Sequence, residues 1–471
     1  MVNIMFRYVN ERSPRLACAI LVSSSCIFGS SVQAGGFALI EQGGSGMGNA
    51  YAGASAVSKD ASTVWFNPAG MTELNSRQIA VAAHVISVES DFSDRGTTLN
   101  EAFGLAPVAG QTEVDSGGAA GVPNLYYVHP LNKKVTMGFG VSVPFGNSTD
   151  YGDNWVGRYQ AVESEVTVID LNPSIAYRVN PKLSIGGGVS VQYIDATLGS
   201  AVDSGATCLG LVSRATVDLA ECIGAGLTTA GVRANDGYAV VTGDSWAATF
   251  NLGLLYKPRQ GTKLGLAYRH SIDHDLDGEG EFSTNPGLAA ILANRQVPLF
   301  QTTGASADAD LPPSVMLSIA HEVNSKVELL ADATFTGWSS LEELRVRFDN
   351  PAQPDTLITL GYEDVWRFSA GLNYQQSDRM VLRAGVAYDQ DPVPSTQLRT
   401  PRIPGSDRTW VSFGLGYKFG NRGQFDVGYA RLFVDDTPID NASESAGGTT
   451  IRGVYETNVD LLSVQYTHKF N

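Results

Sequence analysis

This chain of 471 residues has no apolar run long and clean enough to cross a bilayer as a helix; the nearest, Leu16 to Val32, is broken by serines. It is also poor in charge, which makes up 17% of residues, and the charge it has is mostly acidic, for a formal net of −16. That sign leaves no electrostatic footprint for nucleic acid. Four cysteines and six scattered histidines give no zinc-type cluster. Gly-x-Ser-x-Gly, His-Glu-x-x-His and the phosphate-binding loop are missing, so no motif supports an enzyme, a cofactor or a resident metal. Linkers, low-complexity blocks and heptad runs are absent too, and nothing divides the chain into soluble domains.

What is present begins with an export signal over residues 1–34. Arg7, Arg12 and Arg15 form a basic front, an apolar stretch follows, and Val32-Gln33-Ala34 fits a small-x-small cleavage site. Ser23-Ser24-Ser25 before Cys26 makes a poor lipobox, so a lipid anchor is not expected. Cleavage after Ala34 would remove Cys18 and Cys26. Only Cys208 and Cys222 then remain, and a lone pair in an exported chain predicts a disulfide closing a loop.

From Arg77 onward, segments of about ten residues alternate apolar with polar or small side chains and are joined by turn residues. Leu183-Ile185-Gly187-Val189-Val191-Tyr193 holds one face against Ser184, Gly186, Gly188, Ser190 and Gln192. Val411-Phe413-Leu415-Tyr417-Phe419 repeats the pattern. A soluble β-sandwich alternates as well. Two features favour a membrane barrel: aromatics beside tight turns (Tyr177, Tyr256, Tyr417, Phe419) and connections that alternate between short and long. The pattern predicts an all-β protein, a transmembrane antiparallel barrel of about 14 strands over 77–471. It would sit in the outer membrane of a Gram-negative bacterium. Its expected neighbours are outer-membrane lipid and lipopolysaccharide, and the barrel is expected to be a monomer.

Residues 35–76 fit no strand or helix period. They are rich in Gly, Ala and Ser, with Phe37, Leu39, Tyr51, Trp65 and Phe66 among them, and small residues let backbone pack on backbone. A barrel of this size cannot fill its lumen with wall side chains alone. The segment is therefore expected to plug it as an amino-terminal hatch.

Two places depart from the pattern. The third strand reads Val-Pro-Phe-Gly at Val143, Pro144, Phe145 and Gly146. Position alone leaves two readings: a strand end leading into a loop, or a gap in the wall. The presumed outer loops are oddly apolar, carrying Leu209 and Leu211 around the cysteines, then Leu288, Ile291, Leu292 and Phe300 after Pro286, which is placed to start a helix. Such loops can simply pack on each other, and in part must; the favoured reading is that these six line a groove between them for a greasy ligand. Asp273, Asp275, Asp277, Glu279 and Glu281 alternate along one strand face and read as a solvated rim, since the calcium-loop spacing fails at Thr284.

Together these features resemble the FadL family of outer-membrane transporters for long-chain fatty acids and related hydrophobic compounds. The likeness is most specific in the hatch: Phe37, Leu39 and Glu41, then Ser45-Gly46-x-Gly48-x-Ala50-Tyr51-x-Gly53, Asp60-Ala61 and Asn67-Pro68-Ala69. Val122-Pro123-Asn124, Pro144-Phe145-Gly146, Leu311-Pro312-Pro313, Trp338-Ser339 and Asp389 to Pro394 extend it along the whole exported chain. The resemblance implies passive uptake of a hydrophobic ligand. Capture falls to the outer loops, the hatch takes the ligand near Phe37, Leu39, Glu41, Asn67, Pro68 and Ala69, and exit is sideways through a kink in the third strand. It decides between the two readings of Pro144 in favour of the gap. In the family, basic residues facing the lumen hold the fatty carboxylate. The matching positions here fall near Ser200 and Ile358, neither of them basic. Arg214, Arg233, Arg295 and Arg383 are the candidate replacements; without one, an alkane or aromatic hydrocarbon becomes the alternative cargo. A general polar porin and a surface adhesin are the readings from other classes.

Overall fold

A computed structural model describes residues 36–442, 444 and 448–470; the export signal expected at 1–34, and Gly35, lie outside the described residues. The alternating segments form a closed antiparallel barrel of 14 strands. In chain order these are β1 (Gln78–Asp94), β2 (Gly118–Pro130), β3 (Val135–Asp150), β4 (Glu163–Asn180), β5 (Leu183–Asp203) and β6 (Asp236–Arg259). Then come β7 (Thr262–Arg269 with Ile272–Ser283), β8 (Thr303–Leu311 with Ser314–Glu322), β9 (Val327–Thr336 with Glu343–Phe348) and β10 (Thr356–Thr359 with Val365–Gln375). β11 (Met380–Asp389), β12 (Arg408–Phe419), β13 (Gly423–Val434) and β14 (Thr449–Lys469) complete the wall. β1 pairs with β14 in unbroken register from Gln78↔Lys469 to Asp94↔Gly453, which closes the barrel and leaves no free edge there.

Alternation sorts the side chains. Val81, Val85, Ile185, Val189, Leu317, Leu329, Phe413, Leu415, Leu462 and Val464 all point outward and are more than a third exposed. So broad an apolar exterior requires lipid rather than water. Tyr177, Tyr256, Tyr417 and Phe470 flank it near one end, as an interfacial girdle does. At that end the turns are tight. Asn132, Asn180 and Asn324 each accept from the backbone N–H two residues on, at 2.8–2.9 Å. At the other end the connections are long.

Two of these long connections carry helices. Ser204–Ser213 (α1) and Leu219–Gly224 (α2) flank the disulfide between Cys208 and Cys222, and Pro286–Arg295 (α3) begins at its proline. The acidic run Asp273 to Glu281 faces outward and is exposed at Asp273, Asp275, Asp277, Glu279 and Glu281, while His274 faces in and is buried. Among the described residues no group of three or more metal-binding side chains converges.

Residues 36–74 lie inside the barrel, buried along most of their length. Wall glycines make the room. A Cβ at Gly253 would stand 2.1 Å from the Asn67 side-chain oxygen, and one at Gly186 would stand 2.5 Å from the Ala69 nitrogen. The Gly-rich lumen face of the strands is thus the imprint of the hatch.

Candidate functional site: the hatch edge and the unpaired part of the third strand

The carboxyl-terminal half of the hatch is firmly fixed. Asn67 caps the turn by accepting from the Ala69 N–H at 3.0 Å, and its Nδ2 donates to the carbonyls of Ser55 (2.7 Å) and Leu254 (3.0 Å) on β6. Pro68 then opens a 3₁₀ helix, Pro68–Glu73, where its missing N–H costs nothing. Glu73 ends the hatch in an ion cluster with Lys257 at 2.7 Å, Arg178 at 3.5 Å and Lys263 at 3.8 Å.

The amino-terminal edge is held differently. β2 and β3 pair only from Pro130↔Thr136 to Leu125↔Val141, although β2 continues back to Gly118 and β3 on to Asp150. On the other side, β3 stays with β4 but slips: Ser142 faces Asp170 and Phe145 faces Val168, so Val143 and Pro144 together oppose Ile169. Pro144 has no N–H for a ladder, and the chain turns inward. Its new partner is the hatch. The Leu39 N–H donates to the Pro144 carbonyl at 2.8 Å, and the Gly146 N–H donates to the Phe37 carbonyl at 2.9 Å. The Phe37 ring packs on Phe145 and Trp338, with centroids 5.7 and 5.0 Å apart.

Two cavities flank this contact. The first spans about 1000 Å³, open solvent included, and is almost wholly aliphatic. Val166, Ile194, Leu198, Leu276, Leu311, Leu344, Ile358 and Leu360 line it beside Phe37, with Arg402 at its border. The second, about 1210 Å³, is bounded by hatch residues Ala38, Leu39, Ile40, Trp65, Phe66 and Pro68, by Pro144 and Phe145, and by wall residues Arg269, Arg367, Asp389 and Trp410. Phe37 lines the first while Ala38 lines the second. The hatch edge is the partition between them.

The second cavity contains the charge that sequence reading missed. Arg367 lies over Trp410 and donates through Nη2 to the Ala50 carbonyl at 2.9 Å. Its Nε and Nη1 are buried and find no hydrogen-bond partner among the described residues. Beside it Arg408 bonds Asp389. Glu41 is buried near Arg408, Arg367 and Asp389, and burial pushes its carboxyl up to about 7.

The arginines weighed as replacements sit elsewhere. Arg214 is exposed, Arg233 pairs with Asp153, and Arg295 pairs with Asp218 and Glu221 on the loops. Arg383 is buried but pairs with Asp426. None lines either cavity. The six residues expected to face a groove also differ from that expectation. Leu211, Leu288, Ile291 and Leu292 are buried with both cysteines in a small core that α1, α2 and α3 build between them. Leu209 and Phe300 are half-buried, and none of the six lines either cavity. Helix-forming loops gave those side chains one another to pack on, which an extended loop would not.

Comparison with known proteins follows the same outline. The family model for outer membrane protein transport proteins (OMPP1/FadL/TodX) matches residues 25–470. The chain is 31% identical over 399 residues to the long-chain fatty acid transport protein of Escherichia coli O6:H1, covering 83% of this chain and 85% of that one. It is 29% identical over 474 residues to outer membrane protein P1 of Haemophilus influenzae, covering 96% and 99%. The crystal structure of a Pseudomonas aeruginosa FadL homologue superposes with a TM-score of 0.82 at 26% identity, over 93% of this chain and all of that one. The P. putida toluene transporter TodX shares the fold, with a TM-score of 0.68 at 19% identity over 91% and 98%. The barrel lies in the outer membrane of a Gram-negative bacterium, and the chain belongs to the FadL family of outer-membrane transport proteins.

Proposed function

We propose that the protein takes up long-chain fatty acids, or similar hydrophobic molecules, passively across the outer membrane. Ligand collects in the aliphatic cavity, passes the hatch edge as it moves, and leaves sideways into the bilayer where β3 lacks β2. The aliphatic lining of the first cavity carries this reading. A porin lumen is polar and water-filled, whereas this one presents hydrocarbon walls. Sideways exit spares the ligand from water, where each exposed CH₂ costs roughly 0.8 kcal/mol.

An acid is favoured over a pure hydrocarbon by Arg367, which borders the second cavity and whose buried Nε and Nη1 have no hydrogen-bond partner among the described residues. A buried guanidinium with open donors suits a carboxylate. The named activity of the E. coli relative, fatty acid transport, points the same way. A hydrocarbon cargo is the second reading, and the almost uncharged first cavity is what favours it.

The test is saturable oleate uptake by cells carrying the chain. Deleting Pro144 leaves one residue opposite Ile169 and returns Phe145 to register. Uptake should fall at least tenfold while the barrel remains heat-modifiable and surface-exposed. Undiminished uptake would sink the sideways route. Arg367→Gln separates the cargoes: oleate uptake should drop about tenfold, the loss of one charged hydrogen bond, with toluene entry unchanged.

A further inference from the structure

Where the ladder between β2 and β3 stops, one hatch side chain bridges the two strands. Gln42 is fully buried. Its Nε2 donates to the Val143 carbonyl of β3 at 2.7 Å and to the Leu39 carbonyl at 2.9 Å. Its Oε1 accepts from Asn124 Nδ2 of β2 at 2.8 Å. Leu125↔Val141 is the last backbone pair, so Asn124 and Ser142 are the first positions that the two strands leave unpaired, and Val143 is the next on β3. Asn124 Nδ2 also reaches the Glu41 carbonyl at 3.4 Å and the Tyr126 hydroxyl at 3.3 Å.

We infer that Gln42 and Asn124 are the clasp of the exit: a carboxamide pair that stands in for the missing ladder and sets how readily the gap opens. The inference rests on the sideways route proposed above. A carboxamide carries two donors and an acceptor, so Gln42 can donate to Val143 and Leu39 while accepting from Asn124, whereas a hydroxyl has a single donor. Val143 would otherwise leave a half-buried carbonyl without its ladder partner, which is costly. The clasp also binds the hatch edge to the opening. Gln42 reaches Val143 and Leu39, and Leu39 bonds Pro144, so displacing Phe37 to Leu39 pulls on the same side chain that joins the strands. Ligand moving between the two cavities must shift that edge, because Phe37 and Ala38 divide them. Gln42 and Asn124 are positioning residues: neither lines a cavity, and both act through Leu39 and Val143.

Three proteins test this beside the native chain: Gln42→Leu, Asn124→Ala and the double variant. Removing one buried neutral hydrogen bond shifts an equilibrium about fivefold. Asn124→Ala should therefore speed amide hydrogen exchange about fivefold at Leu39 and Gly146, and Gln42→Leu, which removes three such bonds, by more, with Val141 unchanged. The double variant should add little to Gln42→Leu. A purely structural role would spread the change along β3 or make the effects additive. Gln42→Cys with Asn124→Cys supplies the converse: oxidation should block oleate uptake and dithiothreitol should restore it. The Pro144 deletion keeps the two ideas apart. If it leaves uptake intact, the route itself fails. If it stops uptake while exchange at Leu39 and Gly146 ignores the single variants, or the oxidised pair still transports, the clasp alone is refuted.

Discussion

Arg269 of β7 lies flat over the indole of Trp65, its guanidinium carbon 3.3 Å from the ring centroid, and its Nη2 donates to the Trp65 carbonyl at 2.8 Å. One wall residue thus grips the hatch by both ring and backbone. A desolvated cation over an indole is worth about 2 kcal/mol. Arg269→Ala should let the hatch open roughly ten- to thirtyfold more often. Lys59, half-exposed on the hatch, reports it: trypsin cleavage after Lys59 should rise by that factor in purified protein, with the barrel intact. Arg269→Lys should recover little, because an ammonium neither stacks nor forks.

Glu41 makes hatch docking depend on pH. Its carboxyl is raised from 4.5 to about 7 by burial, with backbone hydrogen bonding and then Arg408 and Arg367 opposing the rise and Asp389 adding to it. The docked hatch therefore holds the proton more tightly than a released one in water. The stabilisation is fully present below about pH 4.5 and is lost as pH climbs through about 7, on the order of 3 kcal/mol across the window. Intrinsic-rate-corrected exchange at the Leu39 amide should accelerate from pH 4.5 to 7 and then level off. Glu41→Gln should stay slow throughout; a variant that still follows pH would assign the effect to another group.

The outer-loop disulfide should matter locally. Cys208 and Cys222 are fully buried in the loop core beside Leu227 and Leu288, and they close a loop 14 residues apart in sequence. A cross-link of that span contributes about 3 kcal/mol. Replacing both cysteines with serine should expose the 204–235 connection to proteinase K in whole cells. The melting of the barrel should be untouched, because β5 and β6 remain paired from Leu183↔Tyr256 to Asp203↔Asp236 without the loop.

The wall was legible because lipid forces a strict period of two. Val189 and Phe413 face out and Ser190 and Ser412 face in, as their alternation says. The hatch was legible from its small residues, whereas Pro144 alone left the third strand open between an end and a gap, and only the family resemblance decided for the gap. The charge of the second cavity was written in the same parity: Trp366 and Phe368 face lipid, so Arg367 between them must face the lumen, and outward Leu264 and Leu266 assign Arg269 likewise. Aligning basic residues by family position hid what alternation placed. Arg402 had no such signal, since it sits in a long connection and is fixed by carbonyls of Gln160, Glu163 and Gly199, contacts that only the fold brings together. The loop leucines failed for the same reason. Apolar composition does not say whether such side chains face a ligand or each other.

Phe66 offers the last test, because it lines two cavities at once. Above it is the chamber bordered by Trp65, Arg269 and Arg367; below it a smaller one of about 520 Å³ is lined by Ser45, Asn49, Lys59, Asp60 and Arg383. The Tyr51 ring backs Phe66 at 5.8 Å between centroids. The lower chamber carries the charged residues Lys59, Asp60 and Arg383, and Lys59 is half-exposed, so water and ions can reach the underside of the ring. Phe66→Ala removes the aromatic body from a site where the surrounding hatch is pinned by Asn67 and Asp60 and cannot fully collapse. In planar bilayers the native protein should conduct poorly, and the variant should show at least a fivefold higher single-channel conductance with little effect on oleate uptake. A native protein that conducts freely and passes sugars would restore the porin reading. A variant that gains conductance while losing uptake would mean that cargo follows the axis and not the side.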